Sequence, residues 1–401
     1  MVYDWPQQKL GDVVINFDAQ RVPLSARERE SRKGKYPYYG ATGIMDYIDA
    51  YLFEGLHLLV AEDGSVETED GKPFLQLVDG YFWVNNHAHV LKGQTDTDTR
   101  YIYYALKSIR IRPFMTGSVQ PKLSQANLNR ISIPYPSINE RTAIAHILGT
   151  LDDKIELNRS MNQTLEAMAQ ALFKSWFVDF EPFRHRGMQD SPLGEIPVGW
   201  SVGKLEETAI LHKESVDPSD YPNEVFDHYS IPAFDEGRIP KTETGDQIKS
   251  SKFLIPNGTV LISKLNPRFP RVWLPLSVHL RRSICSTEFL VVTARGDLGS
   301  EYLYCLFCSE SFFAVFSTLV TGTSSSHQRV RPEDLMSIEI VIPPEEIIKR
   351  FSDNIRPLLT LVNNNLTENG VLANVRDALL PKLLSGKIRV KDAEKFVEKV
   401  V

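Results

Sequence analysis

At roughly 150 residues per domain, a chain of 401 residues has length for two or three domains, and its 42% apolar content excludes a disordered protein or a small stapled scaffold. The 45 Lys and Arg against 51 Asp and Glu leave a net charge of −6, so any contact with nucleic acid must come from local basic patches. Three cysteines (Cys285, Cys305, Cys308) are too few for a disulfide framework or a four-ligand zinc site and fit a reducing compartment. The start, MVYDWPQQKL, has no apolar core after a basic stretch, and no run of about 18 apolar residues occurs, so the expectation is a cytoplasmic chain, neither secreted nor membrane-spanning.

In chain order, residues 1–136 read as a first α+β globular unit: short β-like runs such as LHLLVAEDG, Gly and Pro punctuation, and a short helical stretch from Tyr101. Between Arg21 and Lys35 six basic residues stand against Glu28 and Glu30, and YPYYGATG follows at once. Arg27, Arg32, Lys33 and Lys35, with Tyr38, Tyr39 and Thr42, suit phosphates and base edges; a solvated charged loop is the alternative. Glu62 and Asp63 sit in a Glu-Asp-Gly sequence, which fits a turn better than a metal site. The Thr116-Gly117-Ser118 turn leads to Gln120 and Lys122, side chains that read base edges unless the loop is simply flexible surface.

After the Pro-rich IPYPS, residues 137–182 are almost free of Gly and Pro and predict a long helix. Its seam falls at Ile144, Leu148, Leu151, Ile155, Asn158, Asn162, Leu165, Ala169, Leu172 and Trp176, in steps of four and three. Residues 183–196 read as a linker. Trp176, Phe177, Phe180 and Phe183, at the helix end, are either a partner surface or a plug at the junction with the second unit.

From residue 197 the plan repeats. Trp5, Lys9 and Leu10 recur as Trp200, Lys204 and Leu205, the Tyr101–Tyr103 triplet as Tyr302–Tyr304, Thr116-Gly117-Ser118 as Thr321-Gly322-Thr323, and Leu128, Ile131, Ile133 and Pro136 as Leu335, Ile338, Ile340 and Pro343. Residues 197–343 form the second unit. Its stretch from Lys264 to Arg282 holds Lys264, Arg268, Arg271, Arg281 and Arg282 and no acid, so these cations either face DNA or pair with acids elsewhere. The polar loop Ser325, His327, Gln328 and Arg329 is the counterpart of the Gln120–Lys122 loop. Cys305 and Cys308, three apart, predict two thiols on one buried helix face, not a metal site.

After VIPPEE a second long helix is predicted over 344–390, with a tail at 391–401. Its seam, Phe351, Ile355, Leu358, Val362, Asn365, Asn369, Leu372, Arg376, Leu379 and Leu383, matches the first layer for layer, both asparagines included. Seam asparagines disfavour wrong registers, which points to a helix-to-helix clasp beside the plainer reading of core packing. Chain order makes the pair antiparallel and gives the molecule an approximate two-fold repeat. Gly149 and Pro357, near each other in the aligned seams, predict a bend in each helix. Longer pieces of about 28 residues at 1.5 Å each would set the units about 40 Å apart, on the order of 12 base pairs. No P-loop is present, since Gly64–Pro73 has Pro where Ser or Thr is required, and Asn266-Pro267-Arg268-Phe269 has no glycine-rich cofactor loop beside it.

YPYYGATG, LLVAEDGS, TGSVQPKLS, INERTAIAHILGTLDDKIELNR and SPLGEIPVGW resemble the specificity (S) subunit of type I restriction-modification enzymes, over essentially the whole chain. The resemblance implies two target-recognition domains that each read one half of a bipartite sequence in double-stranded DNA, spaced by two antiparallel helices. It implies as partners two modification subunits, which carry S-adenosylmethionine and methylate adenine, and restriction subunits for ATP-dependent translocation and cleavage. No cofactor, metal or catalytic site is then expected in this chain. The alternatives are a self-contained DNA methyltransferase or nuclease, and a protein-only scaffold or decoy. The second copy lacks YPYYGATG and AEDG, which leaves its contacts harder to assign.

Overall fold

The computed structural model describes residues 5–117, 120–275, 281–296, 299–321, 328–388, 390 and 393. The chain forms two compact units, residues 1–155 with 371–401, and residues 156–370. The repeated residues close each unit in the same way. In the first, strand Gln7–Lys9 pairs with Ser132–Pro134 and the Leu10 amide donates to the Ile131 carbonyl at 2.8 Å. In the second, Ser201–Lys204 pairs with Glu339–Ile342 and the Leu205 amide donates to the Ile338 carbonyl at 2.9 Å. Leu10 and Leu205 are both fully buried.

Each unit then builds two small sheets of matching order. The first has strands Ile15–Asn16, Ala88–Lys92, His57–Ala61 and Leu75–Val78 side by side; its counterpart has Ala209–His212, Phe289–Ala294, Thr259–Ser263 and Val272–Trp273. The central strands are continuous apolar and β-branched runs, HLLVA and TVLIS, buried along their whole length, as strands covered on both faces must be. The second sheet runs Ile44–Ile48, Lys33–Tyr39, Tyr81–Val84 and Phe53–Glu54, and its counterpart Lys241–Thr244, Val225–Tyr229, Arg282–Cys285 and Lys252–Leu254, with Ser215–Val216 added at the edge. In both, one inner pair is parallel: Tyr38 and Tyr39 lie opposite Trp83 and Val84, and His228 and Tyr229 opposite Ile284 and Cys285. FDHYS thus occupies in the second unit the place that YPYYG takes in the first, a match of which only Tyr39 with Tyr229 is identical in the letters.

The long helices are Ile138–Phe177 and Glu345–Leu384, 40 residues each. Both helices run on unbroken through Gly149 and Pro357, the positions where a bend is expected. Proline removes one hydrogen bond and glycine costs about 1 kcal/mol of helix propensity. Leu148, Leu151, Ile355 and Leu359 beside them are nearly fully buried, and burial at roughly 1.5–3 kcal/mol per side chain outweighs the local cost.

Within each unit the helix segments pack antiparallel. In the first, Leu148, Leu151 and Ile155 share a core with Leu372, Leu379 and Leu383, and Arg376 donates to Asp152 at 2.6 Å. In the second, the Asn158 amide donates to Asn369 Oδ1 at 3.0 Å and to Glu368 at 2.7 Å, Asn365 donates to Asn162 Oδ1 at 2.8 Å, and Asn162 donates to the Val362 carbonyl at 3.2 Å. Val362 is buried beside these layers, while Leu165, Leu172 and Leu358 are half-buried and Leu359 turns inward beside Leu358. Replacing Asn162 alone by alanine strands the Asn365 donor and should cost about 1–3 kcal/mol in denaturant unfolding. Replacing Asn162 and Asn365 together by leucine should restore or exceed wild-type stability.

Phe177, Phe180 and Phe183 are buried around Trp200, Tyr302 and Phe351, with Trp176 partly buried against them. These aromatics are therefore the plug of the second unit's core. Cys305 is buried and Cys308 half-buried on one helix, Ser300–Cys308.

Candidate nucleic-acid interface

In the first unit three turns converge. The His57–Ala61 strand delivers Glu62-Asp63-Gly64 to its end, where the Leu123 amide donates to the Glu62 carbonyl at 2.8 Å, so Lys122 forms bridges with both Asp63 and Thr116. The YYGATG turn is braced by Gln76, whose amide donates to the Gly40 and Ala41 carbonyls at 3.3 and 3.1 Å. Thr42 and its neighbours line a depression of about 360 Å³ with Asp63, Gly64, Ser65 and His87. His87 Nδ1 lies 2.7 Å from Asp63 Oδ1. His87 escapes sequence reading because a single histidine has no pattern; only the fold sets it in the depression. Gly117 takes φ +88°, and a Cβ there would lie 2.4 Å from the Gln120 carbonyl oxygen, so the tight turn before exposed Gln120 requires glycine.

The basic run is largely paired within the protein, mostly by acids distant in sequence. Arg32 bonds Asp49 and stacks over Trp83, Lys33 bonds Asp46 and Glu30, and Arg29 pairs with Asp46. Arg27 and Lys35 are exposed and no acid pairs with either among the described residues, Lys35 lying over the Tyr36 ring. Tyr38 is corrected as a DNA contact: it is 1% exposed, packs against Leu24, Ile48 and Trp83, and its hydroxyl accepts from the Leu24 amide. Tyr39 is half-buried against Phe82, and burial raises its phenol pKa. Thr42 is exposed.

Beneath Lys122 lies a buried charged network. His89 Nδ1 is 2.6 Å from Asp18 and Nε2 is 2.8 Å from the Leu123 carbonyl, Arg21 reaches Glu62 at 2.7 Å, and the Lys122 ammonium lies 3.1 Å from Glu62. Burial acts to raise the pKa of Asp18 and Glu62; hydrogen bonds and charge from His89, Arg21 and, for Glu62, Lys122 override it and hold both below the ordinary carboxylate range. Asp18, Glu62 and His89 converge as metal ligands would, but Arg21 and Lys122 already neutralise Glu62, so the group is an ion-pair network.

The second unit repeats this corner with other letters. The Thr259–Ser263 strand ends in Lys264-Leu265-Asn266; the Val330 amide donates to the Lys264 carbonyl at 3.0 Å, Leu265 bridges Arg329, and the Asn266 amide donates to the Gln328 carbonyl at 2.9 Å. Arg329 forms two bonds to Glu288, at 2.9 and 3.1 Å. Of the acid-free run, Arg271 is held by both oxygens of Asp235 and is 16% exposed, Arg281 pairs with Asp227, and Arg282 with Glu224. Arg271 thus pairs with an acid from elsewhere in the chain, the alternative its sequence leaves open, and is not a free cation. Lys264 and Arg268 have no acid partner among the described residues; Arg268 is exposed over the Phe269 ring. Ser118, Ser325 and His327 lie outside the described residues.

Among the described residues no helix is long and apolar enough to cross a membrane. Residues 3–167 match the family described as Type I restriction modification DNA specificity domain. The MjaIX specificity subunit of a type I restriction enzyme from Methanocaldococcus jannaschii is 32% identical over 312 residues, covering 73% of this chain and 70% of that one. The MjaVIII specificity subunit of the same organism is 22% identical, covering 97% and 94%. The crystal structure of a type I restriction-modification S subunit from M. genitalium has the same fold, with a TM-score of 0.58, 16% identity, and coverage of 95% and 96%. On this likeness in sequence and fold, the chain belongs to the specificity subunits of type I restriction-modification systems, non-catalytic subunits that bind DNA and assemble with the other subunits of the complex.

Proposed function

We propose that the two units each read one half of a bipartite sequence in double-stranded DNA, and that the chain docks two modification subunits, which hold S-adenosylmethionine and methylate adenine, with restriction subunits joining the cytoplasmic complex. The observation that carries this reading is the duplicated corner: Glu62–Gly64 beside Lys122 and Lys264–Asn266 beside Arg329, on sheets of the same order. A duplicated reader needs a spacer, and the two 40-residue helices, which contribute to both units, are suited to set the interval between half-sites.

The unpaired cations supply the test. Lys264 and Arg268, like Arg27 and Lys35, have no acid partner among the described residues, which leaves them open to phosphate. Replacing Lys264 and Arg268 by alanine should lower DNA affinity and reduce the slope of log affinity against log salt by about 0.9 per lost phosphate contact. Titration of labelled duplex with the assembled complex at several salt concentrations checks this; unchanged affinity and slope would favour a scaffold that does not use this face.

A further inference from the structure

Lys122 and Arg329 occupy one backbone position in two copies of the same corner. Each immediately precedes a residue, Leu123 or Val330, whose amide donates to the carbonyl at the end of the central strand, and each pairs across to a threonine, Thr116 or Thr321. Each side chain is about half exposed, 52% for Lys122 and 41% for Arg329, and each is gripped by a carboxylate. The carboxylates come from different places. Glu62 follows the central strand, whereas Glu288 accepts at its carbonyl from the Lys264 amide, the role His87 plays toward the Glu62 amide in the first unit. The pairing of cation with carboxylate is thus repeated although its residues are not.

From this we propose that Lys122 and Arg329 are equivalent base-reading residues, each donating to a guanine edge in its own half-site, while the unpaired cations contact phosphate. The inference rests on the proposed reading of the chain as a bipartite DNA reader. A phosphate contact gains from full positive charge, which an adjacent carboxylate cancels. A base edge is neutral and asks for donors held in a fixed direction, which the same carboxylate supplies. After its two bonds to Glu288 the Arg329 guanidinium still has three N–H groups, and after Glu62 the Lys122 ammonium has two, enough for the O6 and N7 acceptors of guanine. Glu62 and Glu288 are more covered than the cations they hold, 13% and 25% exposed, so in each pair the cation is the partner open to a ligand.

The test uses the full chain assembled with its modification subunits. Methylated adenines in host DNA give the wild-type motif, and duplexes changed one base pair at a time across that motif are then titrated. Arg329→Ala should reduce discrimination at one G·C pair of one half-site by about 5- to 150-fold, with the other half-site read as before. Lys122→Ala should do the same in the opposite half-site. Neither should change the salt slope. Arg329→Lys, which keeps the charge beside Glu288 and two free N–H groups but is shorter and loses the fork, should relax the same base pair by less than Arg329→Ala and serves if the alanine variant melts early. Uniform weakening across all duplexes with a reduced salt slope, unchanged discrimination, or both variants acting on one half-site would overturn the inference. A wild-type complex with no bipartite preference would instead overturn the reading of function on which it rests.

Discussion

Inserting four residues after Ile155, matched by four after Gly370, is expected to lengthen the gap between the two half-sites by about two base pairs, from four residues at 1.5 Å against 3.4 Å per base pair. These positions mark the division between the two compact units, so the leucine layers of one and the asparagine layers of the other keep their partners. Half-site sequences should stay as they are, because no reading loop is altered. Mapping methylated adenines in a host carrying the variant with its modification subunits checks both points. An unchanged gap would show that the helices do not set it.

Replacing Arg141 by methionine should destabilise the first unit by about 3–5 kcal/mol, the effect of leaving a buried charge without its partner. Arg141 Nε donates to Asp98 at 2.7 Å and Nη1 to the Pro136 carbonyl at 2.6 Å, while its guanidinium lies 3.8 Å from the Tyr135 ring centre. Asp98 is 0% exposed in its side chain and also accepts from the Tyr135 hydroxyl, whose pKa is pushed up to about 12 by burial, the Asp98 hydrogen bond and the Asp98 charge. The network fastens the start of the first long helix to the Asp96–Lys107 helix. Asp98→Asn with Arg141→Met should recover part of the loss, since it removes the stranded charge and keeps an acceptor for Tyr135. Denaturant midpoints of the three proteins check this, and equal stability of Arg141→Met and wild type would contradict it.

The architecture was legible where the sequence repeats and where hydrophobic spacing leaves one packing solution. The aligned letters show that Leu10 and Ile131 recur as Leu205 and Ile338, and the matched seams bring four asparagines into register; that Leu10 bonds Ile131 and Leu205 bonds Ile338 comes from the fold. The seams carry both helices through Gly149 and Pro357, but the tertiary burial that holds these positions helical is not visible in local propensity.

The reading surface was legible only in part. Six clustered cations in the first unit predict a basic patch, yet their acids arrive from other strands: Asp46 and Asp49 from the neighbouring hairpin, Glu62 from the adjoining sheet. The same holds for Arg271 with Asp235 and Arg329 with Glu288. Tyr38 was misread because alternation in a strand sends neighbouring side chains to opposite faces, and only the sheet decides which face is covered. The correspondence of FDHYS with YPYYG rests on backbone pairing and keeps only Tyr39 as Tyr229 and an aromatic ring at Tyr36 and Phe226, too little to align by letters.

The most direct test of the account is sequencing that detects methylated adenine in DNA from a methylation-free host given this chain and its modification subunits. The account predicts one motif made of two short specific blocks, a fixed gap of unspecified bases, and one methylated adenine in each block on opposite strands. A continuous motif, or methylation by this chain without its partners, would contradict it.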